Sequence, residues 1–142
     1  MRTGRAVRLL GWAMVALPAY YAVQYARDRR PIVREALAVP GEVTSRRTID
    51  VSHVVLRRVP LGTEEREAAR TLERGGFSVE PFEAARYEWL RYNCADCDRG
   101  MWARYEQSYL RGGARILVGV GLLGGRVAHL EAHRSFRIIE VP

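Results

Sequence analysis

Lysine is missing from this chain: all 23 basic residues are Arg. That one-sidedness fits genomic base composition, and no function is taken from it. Cysteine is nearly missing, and the two that occur, Cys94 and Cys97, lie far from any apolar run. A lipoprotein signal, whose lipidated Cys directly follows such a run, is thereby excluded. Position 98 is Asp, not His, which excludes a c-type haem attachment site. No serine sits in a nucleophile elbow, and Ser52, Ser78, Ser108 and Ser135 lack any pattern linking them to a base. Gly112-Gly113 and Gly124-Gly125 resemble neither phosphate-binding fingerprint and read as turns. Asp96 and Asp98 lack the further oxygen ligands that a hard cation needs. There is no repeat of 20–50 residues and no low-complexity tract. The sequence therefore offers no catalytic residue, no cofactor and no metal site.

What is present is concentrated at the N-terminus. A basic leader (Arg2, Arg5, Arg8) precedes an apolar run, and a second basic cluster (Arg27, Arg29, Arg30) follows it. The net charge of +7 is mostly here, with six Arg against Asp28 in residues 1–30 and 17 Arg against 15 acids beyond. A nearly balanced remainder leaves no broad footprint for a phosphate backbone, so no nucleic-acid partner is expected. Between Arg8 and Arg27 lie 18 uncharged residues, within the roughly 17–25 that cross a hydrocarbon core. Trp12, Tyr20, Tyr21 and Tyr25 suit the interfacial belts, and Pro18 is tolerated in a membrane helix. Small residues are absent at the −3 position before Ala19, Ala22 and Ala26, which argues against signal cleavage. The expectation is a transmembrane helix contacting the lipid bilayer through residues 6–26, with a cleaved signal or a buried soluble helix as the competing readings. A short leader of this kind favours an N-in topology and an extracytoplasmic, periplasmic C-terminal domain, although the basic residues on the far flank compete.

Residues 31–49, with Pro31, Pro40 and Gly41 among scattered charges, read as a linker, and residues 50–142 as one small α+β domain. Asp50 is placed to cap a short helix carrying Val51, Val54 and Val55 on one face, which ends before Pro60. Leu61-Gly62 makes a turn and Thr63 caps a second helix. Glu64, Glu65 and Glu67 fall in its first turn, and Ala68, Ala69 and Leu72 form its apolar stripe. Gly75-Gly76 ends it, with Phe77 folding back. Phe82, Ala85, Trp89 and Leu90 have helical spacing, yet the aromatic run Tyr87 to Cys94 favours a strand. At the C-terminal end, Ile116 to Leu122 and Val127 to His133 flank Leu123-Gly124-Gly125, the pattern of a β-hairpin. A plain two-residue turn would pair Val118 with Glu131 and Val120 with His129, mixing polar and apolar neighbours. A three-residue loop with Gly125 at positive φ pairs Ile116 with Ala132, Val118 with Leu130 and Val120 with Ala128 and keeps one face apolar. Gly119 and Gly121 then lie on the other face, where either a neighbour approaches the backbone or nothing packs.

Cys94-Ala95-Asp96-Cys97 admits several chemistries. A redox pair needs a helix N-terminus and an electropositive setting, whereas Asn93, Asp96 and Asp98 surround this one. Zinc held by Cys94, Cys97, His129 and His133 meets a geometric obstacle, because residues four apart on a strand are about 13 Å from each other. A structural disulfide in an oxidising compartment is the favoured reading, with two plain thiols also open. Phe82, Tyr87, Trp89, Tyr92, Trp102, Tyr105 and Tyr109 crowd one region, as the bulk of a small core or as a partner surface. His129 and His133 fall with Glu131 on the polar hairpin face, which is a solvated face or a contact patch. Trp89, Tyr92, Trp102, Tyr105, His129 and His133 are the candidate partner surface.

Asp50-Val51-Ser52, then Val59-Pro60-Leu61-Gly62-Thr63, a helix ending near Gly76 and an open hairpin with a Gly turn together resemble the small SmpA/OmlA-type envelope lipoprotein domain. The resemblance covers roughly residues 50–135. The chain departs from that pattern in lacking the lipidated Cys and in placing Ala68-Ala69 where a Val usually begins the second helix's apolar face. The resemblance implies two short helices on a small antiparallel sheet, and an adaptor that docks on other envelope or membrane proteins without catalysis. The sequence thus leads to a membrane-anchored envelope interaction or assembly module. The alternatives are a membrane-tethered thiol-disulfide oxidoreductase using Cys94 and Cys97, or an accessory subunit of a larger membrane complex.

Overall fold

A computed structural model describes residues 30–41, 48–83, 87–109 and 112–138. The anchor expected over residues 6–26 lies outside them. Among the described residues no helix is long and apolar enough to cross a membrane. Among the described residues the fold is α+β, a five-stranded antiparallel sheet with four short helices. In chain order the elements are α1 (Pro31–Ala38), β1 (Ile49–Asp50), α2 (Ser52–Leu56), α3 (Glu65–Arg74), β2 (Ser78–Glu83), α4 (Glu88–Asn93), β3 (Arg99–Tyr109), β4 (Gly112–Leu123) and β5 (Arg126–Ile138). The strand order is β1-β5-β4-β3-β2.

Residues 31–49, read as a linker, begin with a helix that belongs to the core. Pro31 pre-sets the first turn of α1, and Ile32, Val33 and Ala36 are buried. Its carbonyl end is closed by Arg134 of β5, only 7% exposed. One guanidinium nitrogen, Nη1, donates to the carbonyls of Ala36 at 2.9 Å and Leu37, and the other, Nη2, to Val39 at 2.8 Å. A cation at the negative end of a helix dipole, satisfying carbonyls that have no partner within the helix, accounts for the burial of this arginine.

Helices α2 and α3 follow the sequence closely. The N-cap of α2 is Val51, one residue beyond the expected Asp50, whose Oδ1 accepts the Ser52 N–H at 2.8 Å from the end of β1. Ser52 is joined to β5 as well, its Oγ accepting the Ala132 N–H at 2.8 Å. α3 begins one residue beyond the expected cap, with Glu64 at the N-cap, while the Thr63 hydroxyl donates to the Pro60 carbonyl at 2.6 Å. It ends in a Schellman arrangement: Gly76 at φ 91° allows the Phe77 N–H to reach the Leu72 carbonyl at 3.1 Å and its own N–H to reach Glu73 at 2.9 Å.

Two expectations are corrected. Tyr87 to Cys94 is not a strand, because Glu88–Asn93 is helical and β2 lies earlier, at Ser78–Glu83. The C-terminal hairpin closes with a two-residue turn, Gly124-Gly125, both at positive φ (57° and 75°), pairing Leu123 with Arg126. A β-bulge resolves the mismatch that a plain two-residue turn would create. Leu122 pairs with Val127 but Gly121 pairs with His129, so Ala128 is the extra residue. Val120 then meets Leu130, Val118 meets Ala132 and Ile116 meets Arg134. The expected pairing is two residues out, and an even slip preserves facing, so the apolar face holds.

That face carries the main core. Met101, Ala103, Ile116, Val118, Val120, Leu122, Leu130 and Ala132 pack against Ile32, Val33, Val51, Val54, Val55, Ala68 and Leu72 of the first three helices and their flanks.

Candidate functional site

The opposite face of the sheet is organised by glycine. Gly119 and Gly121 of β4 and Gly100 of β3 line up on it through the registers Trp102↔Gly119 and Gly100↔Gly121. Each is filled by a neighbour's side chain. A Cβ on Gly119 would lie 2.6 Å from the Trp89 ring and 2.8 Å from Trp102. On Gly121 it would lie 2.8 Å from the Cys97 sulfur and 3.0 Å from Leu90. On Gly100 it would lie 2.6 Å from Phe82. Of the two possibilities the sequence left open for Gly119 and Gly121, close approach is the one realised.

Upon this platform sits α4, its Leu90 and Trp89 turned to the sheet, in a small second cluster of Phe82, Leu90 and Cys97 flanked by Trp89, Cys94 and Trp102. Its rings are linked. Trp89 and Trp102 centroids are 4.8 Å apart, Phe82 and Trp102 are stacked at 5.4 Å, and Tyr87 tilts on Phe82 at 4.5 Å. At the C-terminal end of α4, Cys94 is the C-cap residue and is bonded to Cys97, with Cα atoms 5.3 Å apart. The favoured disulfide reading is present in the structure.

Polar groups border the rings. Trp89 Nε1 donates to Glu131 Oε2 at 3.1 Å, and the other carboxylate oxygen of Glu131 lies 2.5 Å from His133 Nε2. His129 faces Trp89 with ring centroids 5.7 Å apart. Asp50, across from His133 on β1, has its carboxyl held below the ordinary aspartate value. The Ser52 hydroxyl is the largest cause, followed by the Ser52 N–H, and the charges of His133 and His53 add to it.

Of the six residues singled out as a partner surface, the structure gathers Trp89, Trp102 and His129 directly and His133 through Glu131. Tyr92 projects from the same helix, 85% exposed. Tyr105 does not belong with them: it is buried on the inner face, its ring 6.1 Å from Phe77. Strand alternation explains the separation, since Tyr105 and Trp102 are an odd number of residues apart on β3 and so face opposite ways. Phe82 and Tyr87 of the aromatic crowd, and Glu131 of the polar hairpin face, join the cluster beyond those six. Only the alternating Gly119 and Gly121 signalled in the sequence that a neighbour had to come this close.

Among the described residues no group of three or more His, Cys, Asp or Glu side chains is placed to hold a metal ion. Comparison with protein-family models, with characterised proteins and with solved structures gives no match.

Proposed function

We propose that this chain is a non-catalytic interaction or assembly module of the cell envelope, anchored in the membrane through residues 6–26 with its folded domain outside the cytoplasm. The observation that carries the reading is the α4 face. A short helix stapled by a disulfide presents Tyr92 almost wholly to solvent and Tyr87 partly so, beside a hydrogen-bonded Glu131–His133 pair. Aromatic side chains on a rigid support, bordered by polar groups, are what protein docking surfaces favour. The disulfide suits an oxidising compartment. The resemblance of residues 50–135 to the SmpA/OmlA-type domain, an adaptor without catalysis, points the same way.

The oxidoreductase alternative has less support. The two cysteines stand at the carbonyl end of α4, where the helix dipole disfavours a thiolate, and Cys97 is buried. The docking reading is tested with a photo-crosslinking side chain at Tyr92 in native membranes, with Leu61, exposed in the α2–α3 turn, as the control position. A discrete envelope-protein adduct from Tyr92 alone is expected. Identical adducts from both positions, or none from Tyr92, reject the face. Carbonate extraction and a reporter after Pro142 test the anchor and topology; a carbonate-soluble chain or a cytoplasmic reporter rejects them.

A further inference from the structure

Helix α4 is six residues long, far below the length at which a helix persists unaided in water. Its position depends on what it touches. Leu90 and Trp89 fill the spaces above Gly121 and Gly119, Trp89 is hydrogen-bonded to Glu131, and the disulfide lies across Gly121. Beyond the bridge, the Asp98 N–H donates to the Leu122 carbonyl at 3.0 Å, so the loop is pinned to β4. The bond thus joins the last turn of α4, where the Cys94 N–H reaches the Leu90 carbonyl at 2.8 Å, to Cys97, whose N–H donates to the Cys94 carbonyl at 3.1 Å and whose neighbour Asp98 is held on the sheet. Of these residues only Leu122, which lends its backbone carbonyl, belongs to the main core on the other face; the side chains that hold α4 do not.

We propose that the Cys94–Cys97 bond is a redox latch: its two-electron reduction releases α4 from the glycine platform and uncovers Trp102 and Phe82, while the rest of the fold stays intact. The reductant is a dithiol. Its thiolate attacks the sulfur of Cys94, the less buried of the pair, and the S–S bond breaks with Cys97 leaving as a thiolate that takes a proton. The second thiol of the reductant then resolves the mixed disulfide, freeing Cys94 as a thiol and leaving the reductant as a disulfide. Two electrons and two protons are transferred. Once the bond is open, the short loop regains its freedom and α4 loses the sulfur packing over Gly121. Segments held by few apolar contacts open below the global unfolding free energy.

The latch deepens the docking reading because it governs the same face, but it is read out on the chain alone, so a failed crosslink and a failed latch are separate results. The full chain in detergent micelles is followed by amide hydrogen exchange before and after dithiothreitol. Exchange over residues 88–98 should rise at least about tenfold, the scale set by closing so short a loop, while residues 116–122 and 127–134 keep their protection. The double variant Cys94→Ala/Cys97→Ala should exchange at the fast rate with or without reductant. Unchanged protection over 88–98 in the reduced wild-type chain overturns the latch. An equal loss throughout the sheet overturns it as well, making the bond a staple of the whole fold.

Discussion

Along β4, neighbouring residues serve two different kinds of packing. Ile116, Val118, Val120 and Leu122 face three helices and are fully buried among aliphatic side chains. Gly119 and Gly121 face the other way and contribute no side chain, leaving room for Trp89, Leu90 and the disulfide. The inner face has close packing from branched side chains on both partners, so what it loses on substitution is buried volume. The outer face has large rings laid on bare backbone, so it is sensitive to volume added. The inner face supports the fold; the outer face holds a short helix that is free to respond, because little of the core depends on it.

The largest effect should come from the inner face. Leu122→Ala removes a fully buried side chain opposite Val127 and is expected to cost about 2–5 kcal/mol, read as a lowered urea midpoint with an unchanged slope. A cost below about 1 kcal/mol would mean that this side of the sheet is not the close-packed one.

The opposite manipulation tests the outer face. Gly119→Ala adds a single methyl group where the Trp89 and Trp102 rings are 2.6 and 2.8 Å away. Overpacking of this kind costs about 1–3 kcal/mol, and here it should displace α4 and change the tryptophan emission while the core amides stay protected. A neutral Gly119→Ala with unaltered emission would show that Trp89 does not rest on β4.

The difference between the two faces also explains what was legible in the sequence. The inner face announces itself through alternation in Ile116 to Leu122 and through the cap and glycine signals around α3, all of which are local. The pairing register was not legible, because one inserted residue, Ala128, changes the parity of the strand, and its own sequence neighbourhood does not mark it. α1 was hidden because Ile32, Val33 and Ala36 make too short a stripe to read as a helix beside two prolines. Their partner, Arg134, lies about a hundred residues later. α4 was misread because aromatic side chains favour strands in isolation. What makes Trp89 and Leu90 helical is the glycine platform on a distant strand, a tertiary influence that overrides local propensity. Among the site residues, the disulfide and the tryptophans were found from composition, whereas Tyr105 was wrongly grouped with them because its facing depends on where β3 begins.

A third expectation sharpens the hairpin. With a two-residue turn and both glycines at positive φ, Gly124→Ala and Gly125→Ala should each cost about 1–2 kcal/mol, the penalty for an L-residue in the left-handed region. Gly124→Asn should be better tolerated than Gly124→Ala, since asparagine favours that conformation. Thermal melts of the three variants decide it. A harmless Gly124→Ala beside a damaging Gly125→Ala would restore the three-residue loop and shift the pairing of every residue on β5.

The smallest effect belongs to the margin where β1 meets the outer face. Asp50 accepts hydrogen bonds from Ser52, and its carboxyl is held below the ordinary aspartate value, chiefly by the Ser52 hydroxyl and then by the Ser52 N–H, with the charges of His133 and His53 assisting. A carboxylate whose pKa falls on folding is worth more ionised in the folded chain than in the unfolded one. Its stabilisation is therefore complete above the ordinary value and fades as the pH drops through the lowered, folded-state value. Asp50→Asn retains an acceptor oxygen but cannot ionise, so it removes this dependence. The wild-type chain should melt slightly above the variant at neutral pH, and the gap should close as the pH falls through the lowered, folded-state value. Because Asp50 is exposed, solvent and salt weaken the effect, and the gap should narrow as ionic strength rises. A gap that widens on acidification would mean that the carboxylate is disfavoured in the folded chain, contrary to its contacts with Ser52.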